Sequence, residues 1–171
     1  AEEVSAICVD GANRKWLGTK KAGLFLVSPD GTSQLAHFNV ENSPILSNTI
    51  NSLSIDGETG ELFIGTDRGI CSYRTDATTG ATGFGKVYAF PNPVRPDYHG
   101  VITINGMVTD ADVKITDVSG NLVYQTVANG GTATWNGLLY SGKRAATGVY
   151  LVFCTNADGS QTKVTKILFV N

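Results

Sequence analysis

Apolar and polar residues alternate along most of this chain in runs of four to eight, broken by Gly, Asp, Asn and Pro, and no window of a dozen residues carries apolar positions at i, i+3, i+4 and i+7. A period of two puts every other side chain on one face of an extended strand, whereas a helix requires a period of 3.6. The pattern predicts an all-β chain. In the first half it predicts strands over Val4–Val9, Lys15–Thr19, Gly23–Val27 and Gln34–Asn39, then over Ile50–Ile55, Glu61–Thr66 and Gly69–Tyr73. In the second half it predicts Lys86–Phe90, Val101–Asn105, Asp112–Asp117, Asn121–Val127, Thr132–Trp135, Gly148–Thr155 and Thr162–Val170.

The first half repeats itself. Val4, Ile7 and Val9 align with Ile50, Leu53 and Ile55, Asp10-Gly11 with Asp56-Gly57, Trp16-Leu17-Gly18-Thr19 with Phe63-Ile64-Gly65-Thr66, and Gly23-Leu24 with Gly69-Ile70. The offset, 46 positions from Val4 to Ile50 and 47 from Trp16 to Phe63, is about that of a four-stranded propeller blade. In each unit the Asp-Gly pair is expected to make a tight turn, with Gly at positive φ and Asp bonding its own backbone. The aromatic that follows (Trp16, Phe63) is expected to fill the space between blades, and Gly18 and Gly65 to mark a bulge or a close backbone approach. The second unit lacks a fourth strand, because "RTDATTGATGFG" after Tyr73 is a Gly/Thr/Ala tract that reads as linker. Closed propellers hold typically four to eight blades, so the first half is expected to be part of a longer parent. Its unfinished ring is expected to self-associate through exposed blade edges.

From Lys86 the repeat stops, and short strands at such spacing suggest a β-sandwich. "VYAF" reads as its first edge strand, where prolines are tolerated, and Pro91, Pro93 and Pro96 set the exit path. "GVYLVFC" is apolar on both faces, as a central strand should be, and "TKVTKILFV" becomes so only at Ile167–Val170. The expected organisation is therefore a two-blade partial propeller over 1–75, a linker over 76–86 and an immunoglobulin-like sandwich over 87–171.

Composition narrows the function classes. The 171 residues are 42% hydrophobic and 16% charged with a net charge of −2, and Lys and Arg are scattered, so no electrostatic footprint for nucleic acid exists. Apolar runs reach about five residues against the roughly 20 of a spanning helix, and no signal peptide is read at the start. Cys8, Cys71 and Cys154 sit in apolar strands without CxxC spacing; buried small apolar residues are expected, with a Cys8–Cys71 bridge as the alternative. His37 and His99 have no ligand-spaced partners, Asp10 and Asp56 occupy equivalent repeat positions and so serve turns, and no G-x-S-x-G, P-loop or HExxH is present. No cofactor, metal or catalytic residue is expected. The candidate ligand or anion contacts are Trp135 in "WNG", weighed against packing the core with Tyr150, and Lys143 and Arg144 in the basic loop "SGKRAATG", weighed against a solvated turn.

Two resemblances follow from these motifs. "ILSNTINSLSIDGETGELFIGTDRGI" and "ICVDGANRKWLGTKKAGLF" resemble two-component regulator propeller repeats, which form glycan-recognising periplasmic propellers of hybrid sensors and kinase-free surface propellers. "FPNPV", "VKITDVSGNLV", "WNG", "SGKRAATGVYLV" and "TKVTKILFVN" resemble the C-terminal sorting domain of the type IX secretion route and the related immunoglobulin-like domain of the flagellar hook-capping protein. Cleaved sorting domains often end in a short basic tail, whereas this sequence ends in Val170-Asn171. Together these features resemble the surface propeller component of type IX secretion. That resemblance implies a non-enzymatic, secreted protein at the cell surface or periplasm of a Gram-negative bacterium, binding anionic lipopolysaccharide and helping to deliver or retain the sortase. Its partners would be secretion-system proteins or surface polysaccharide. The alternatives are a glycan-sensing fragment of a hybrid two-component sensor, or the export tag of an upstream surface hydrolase.

Overall fold

The alternating runs are realised as fourteen strands in the computed structural model, which describes residues 2–170. The chain divides between Thr79 and Gly80 into two units. In the first, β1 (Val4–Val9), β2 (Lys15–Thr19), β3 (Leu24–Val27) and β4 (Gln34–Phe38) form one antiparallel sheet in sequence order. Strands β5 (Ile50–Asp56), β6 (Glu61–Thr66) and β7 (Gly69–Arg74) form a three-stranded one.

The registers repeat as the sequence does. Ile7 pairs with Leu17 and Leu53 with Ile64, and each first strand carries a bulge at the same place, between Val4 and Ala6 and between Ile50 and Ser52. Gly18 is required by close approach: a Cβ there would lie 2.5 Å from Ile50 Cγ2. The two sheets bury one shared core, Trp16, Leu24 and Leu26 from the first against Ile50, Leu62 and Ile64 from the second. Trp16 lies 6.0 Å from the rings of both Phe38 and Tyr73.

Two expectations are corrected here. Phe63 does not fill the space between the sheets but is exposed. Both sheets meet in a single interface, so they present opposite faces to it; β2 turns Trp16 inward, and β6 turns Leu62 and Ile64 inward. The position equivalent to Trp16 must then point away. The Asp-Gly turns also work differently. Asp10 Oδ1 accepts the amides of Ala12 and Arg14, and Asp56 Oδ1 that of Glu58, as an Asx turn should. Positive φ, however, falls on Asn13 and Gly60. Gly11 and Gly57 are small because residues 75–79 run across both turns; a Cβ would collide with the Thr78 carbonyl at Gly11 and with the Thr79 side chain at Gly57.

This strap is part of the tract expected to be linker. Thr75 N donates to Gly60 O at 2.9 Å and Thr79 N to Gly57 O at 2.7 Å. Asp76 pairs with Arg14 at 2.6 Å, while the buried Asp10 carboxylate holds Arg14 Nε at 2.8 Å. Neither buried charge is left uncompensated, an omission that costs several kcal/mol in protein interiors.

The second unit is a two-sheet sandwich. Strands β8 (Tyr88–Phe90), β9 (Ile102–Asn105) and β12 (Thr132–Trp135) form one sheet, ordered β12-β9-β8. The other, ordered β11-β10-β13-β14, contains β10 (Asp112–Thr116), β11 (Leu122–Val127), β13 (Gly148–Thr155) and β14 (Thr162–Phe169). Ile102, Ile104, Ala133 and Trp135 of the first face Val113, Ile115, Val152, Cys154, Ile167 and Phe169 of the second. The β10–β11 hairpin turns on Asp117, whose Oδ1 accepts the amides of Ser119 and Asn121. Hydrogen bonds from the Asn121 side chain and the turn amides hold the Asp117 carboxyl below the usual carboxylate range.

The tightness at Gly18 gives a direct test. Gly18→Ala should lower unfolding free energy by about 1–3 kcal/mol through overpacking. Gly148→Ala, with no atom within 4 Å of the new methyl, should be neutral or stabilising by up to about 1 kcal/mol. Urea denaturation of the two variants beside the parent reads both.

Candidate functional site

The three residues singled out for ligand contact lie around one end of the sandwich core. Trp135 ends β12 and is fully buried. Its ring sits 5.5 Å from Tyr150, 5.1 Å from Phe169 and 6.2 Å from Tyr124, and its Nε1 donates to Leu138 O at 2.8 Å. No face of the indole reaches solvent, so Trp135 packs the core and does not stack on a ligand. The Tyr150 hydroxyl donates to Ala146 O at 3.1 Å, and burial pushes its pKa up.

The basic loop is a small hairpin. Leu138 bridges Arg144, Leu139 N donates to Lys143 O at 2.9 Å, and Ala145 N to Gly137 O at 2.9 Å. Arg144 is half-buried and turned inward. Its Nη2 donates to Tyr98 O at 2.8 Å and Arg95 O at 3.3 Å, and its guanidinium lies 5.7 Å from the Phe169 ring centre. It therefore pins the 95–98 loop over the core, a use that competes with anion contact. Lys143, next to it, is exposed.

The pinned loop belongs to the proline-rich stretch that opens this unit, and the same stretch is tied to the last strand. Asn92 Nδ2 donates to Lys166 O at 2.8 Å, and Leu168 N donates to Asn92 Oδ1 at 3.0 Å. Val94 N donates to Leu168 O at 2.7 Å, and Val170 N to Val94 O at 2.9 Å, a parallel bridge beside Phe169. The side-chain amide of Asn92 thus stands in for one strand residue and Val94 supplies the next. At the end of β14, Ile167 and Phe169 face the core and Asn92 and Val94 cover the edge, while Leu168 and Val170 on the other face stay exposed. Neither Asn92 nor Phe169 was singled out from the sequence. The available signal was an amide held between two prolines, residues that cannot themselves donate to a ladder.

The remaining candidates have local duties. His37 stacks on Phe25 at 4.1 Å and its Nε2 lies 2.6 Å from Ala22 O. Cys8 and Cys71 are free thiols, which sets aside the bridge considered between them; burial, and then Asp10, push the Cys8 thiol up to about 11. Among the described residues, no group of three or more His, Cys, Asp or Glu is placed to hold a metal ion, and no helix is long and apolar enough to cross a membrane.

Residues 88–170, from the first strand of the sandwich to the covered end of the last, match the family described as Secretion system C-terminal sorting domain. Over those residues the chain is similar to that family. Over 99% of its length the chain is also similar, at 38% identity and a TM-score of 0.69, to the solved structure of PorZ. PorZ is described as an essential bacterial surface component of the type-IX secretion system of Porphyromonas gingivalis, and the chain spans 23% of its length. Two structures of the extracellular domain of a one-component or hybrid two-component system from B. thetaiotaomicron match over 99% of this chain and 26% and 25% of theirs. They do so at 13% identity and TM-scores of only 0.34 and 0.35. The chain thus spans about a quarter of the length of the solved structures it matches. No curated protein sequence matches it.

Neighbouring residues of the sandwich's basic loop separate a structural role from a ligand role. Arg144→Ala should cost about 2 kcal/mol, through two charge-assisted bonds and a cation–π contact. Lys143→Ala should stay within about 0.5 kcal/mol of the parent. Chemical denaturation at constant m-value is the measurement.

Proposed function

We propose that the chain is the non-catalytic binding and anchoring portion of a secreted surface propeller protein, and that its sorting domain docks to type IX secretion machinery. The supporting observation is the coincidence of the family match over 88–170 with a sandwich whose first segment and last strand are bonded together. A docking partner then meets one preformed body rather than a tail that must order on contact, which lowers the entropic cost of recognition. Similarity to PorZ across both units supports placing the propeller-like unit and the sorting domain in one surface component, at the cell surface or in the periplasm. Lys143 is proposed as the exposed cation of the docking end.

The test is export. In a bacterium with a working type IX system, the chain should reach the cell surface. A version whose residues 80–171 are replaced by an unrelated periplasmic sandwich should stay in the periplasm. Surface labelling and fractionation read both, and an exported replacement would overturn the docking role.

The propeller-like unit is proposed to bind further blades. On the outer face of its first sheet, Ile7, Leu17 and Phe25 form one cross-strand row and Val9 flanks it. Ile7 and Val9 are exposed, whereas their repeat equivalents Leu53 and Ile55 pack into the shared core. A blade-like surface, including that of a second copy, is the occupant such a face fits. Light scattering should show an average mass rising with concentration, and Ile7→Lys should hold the chain monomeric.

A further inference from the structure

We infer that the outer face of the three-stranded sheet of the sorting domain is a platform for a neutral saccharide. On this sheet Ala89, Ile102, Ile104, Ala133 and Trp135 point into the core, so the alternate residues point out. The register arranges them in two rows, Phe90–Thr103–Thr134 and Tyr88–Asn105–Thr132. Each row runs from an aromatic ring on the edge strand to hydroxyl or amide groups on the next two strands.

The aromatic pair does no work in the core. Tyr88 is 46% and Phe90 48% exposed, and their rings are 6.3 Å apart and inclined by 27°. Residues two apart on a strand are separated by roughly 7 Å, a distance of the order of one pyranose ring. Beside them, Thr132 Oγ1 donates to Asn105 Oδ1 at 2.7 Å, which fixes the orientation of that amide at the centre of its row.

The chemistry of the neighbours selects the occupant. The core of a protein–protein interface surrounds its aromatics with further apolar side chains. The outer face of the first four-stranded sheet does so here, where Ile7, Leu17 and Phe25 stand together. Tyr88 and Phe90 instead adjoin Thr103, Asn105 and Thr134, none of the five an acid or a base, while Thr132 at the end of its row is buried and serves to orient Asn105. A ligand that fits has an apolar face for the rings, a rim of hydroxyls for the threonines and the amide, and no net charge. A pyranose unit of a neutral polysaccharide has all three. Aromatic side chains with one apolar and one wet side are well suited to such a boundary. The inference leans on the surface-anchoring role only for where the saccharide would come from; binding by the purified chain requires no export.

Native affinity electrophoresis of the whole chain tests it, in gels containing mannan, mixed-linkage β-glucan or dextran as three neutral probes and dextran sulfate as a polyanion. At least one neutral gel should retard the chain. The double variant Tyr88→Ala/Phe90→Ala should lose about tenfold or more in apparent affinity. Thr103→Val, which removes a hydroxyl at constant volume, should lose about threefold to tenfold, and Val118→Ala, a charge-neutral change at an exposed turn of the other sheet, should migrate with the parent. Because all three platform residues point outward, thermal melts should be unchanged. No retardation by any neutral probe, retardation by the polyanion alone, or undiminished retardation of the double variant would each overturn the platform. A chain that is exported but not retarded refutes only the platform, and one that is retarded but not exported refutes only the docking role.

Discussion

The bonds between the Asn92–Val94 segment and the end of β14 hold the sandwich in the form described. A last strand ending at the border of a sheet would leave its outer amides and carbonyls exposed, an open template for pairing with another chain. Asn92 and Val94 occupy that border over Lys166–Val170. With the end of β14 held, Ile167 and Phe169 stay in the core, and Phe169 in turn supplies the surface on which Trp135, Tyr150 and Arg144 are arranged. The same segment carries the chain from the three-stranded to the four-stranded sheet, so one short stretch both opens the domain and closes it.

In the first unit the organising constraint is a shared core between two copies of one pattern. Each copy has two faces and only one meets the other copy, so equivalent residues have unequal fates. Trp16 is buried and Phe63 exposed; Ile55 is partly buried and Val9 exposed. A repeat determines what its residues can do, and neighbours determine which of them do it.

Much of this was legible because strand period and register are local. The bounds of β1, β2, β6, β12 and β13 match the alternation residue for residue, and the others differ by a residue or two at their ends. What was not legible depends on atoms far away in the chain. Gly11 and Gly57 read as turn glycines, yet their smallness answers to residues 75–79. Trp135 reads from "WNG" as core packing or a ligand contact, and Arg144 from "GKRAA" as a solvated turn or an anion contact; only the meeting of Phe169 and Tyr98 with them turns both inward. The outward pair Tyr88 and Phe90 was hidden for the opposite reason, since alternation shows that two faces exist but not which one is covered.

The strap across the two Asp-Gly turns also has a mechanical meaning. A chain leaving a sheet directly from its last strand can be peeled away one hydrogen bond at a time. Here the chain leaves β7, crosses both turns and is tied on the way by the Arg14–Asp76 ion pair and by the Thr79 amide before it passes into the second unit. Tension applied through the second unit would therefore be shared between two sheets at once and would have to break a charged tie before β7 begins to unzip. The arrangement places resistance where the pull would enter the first unit.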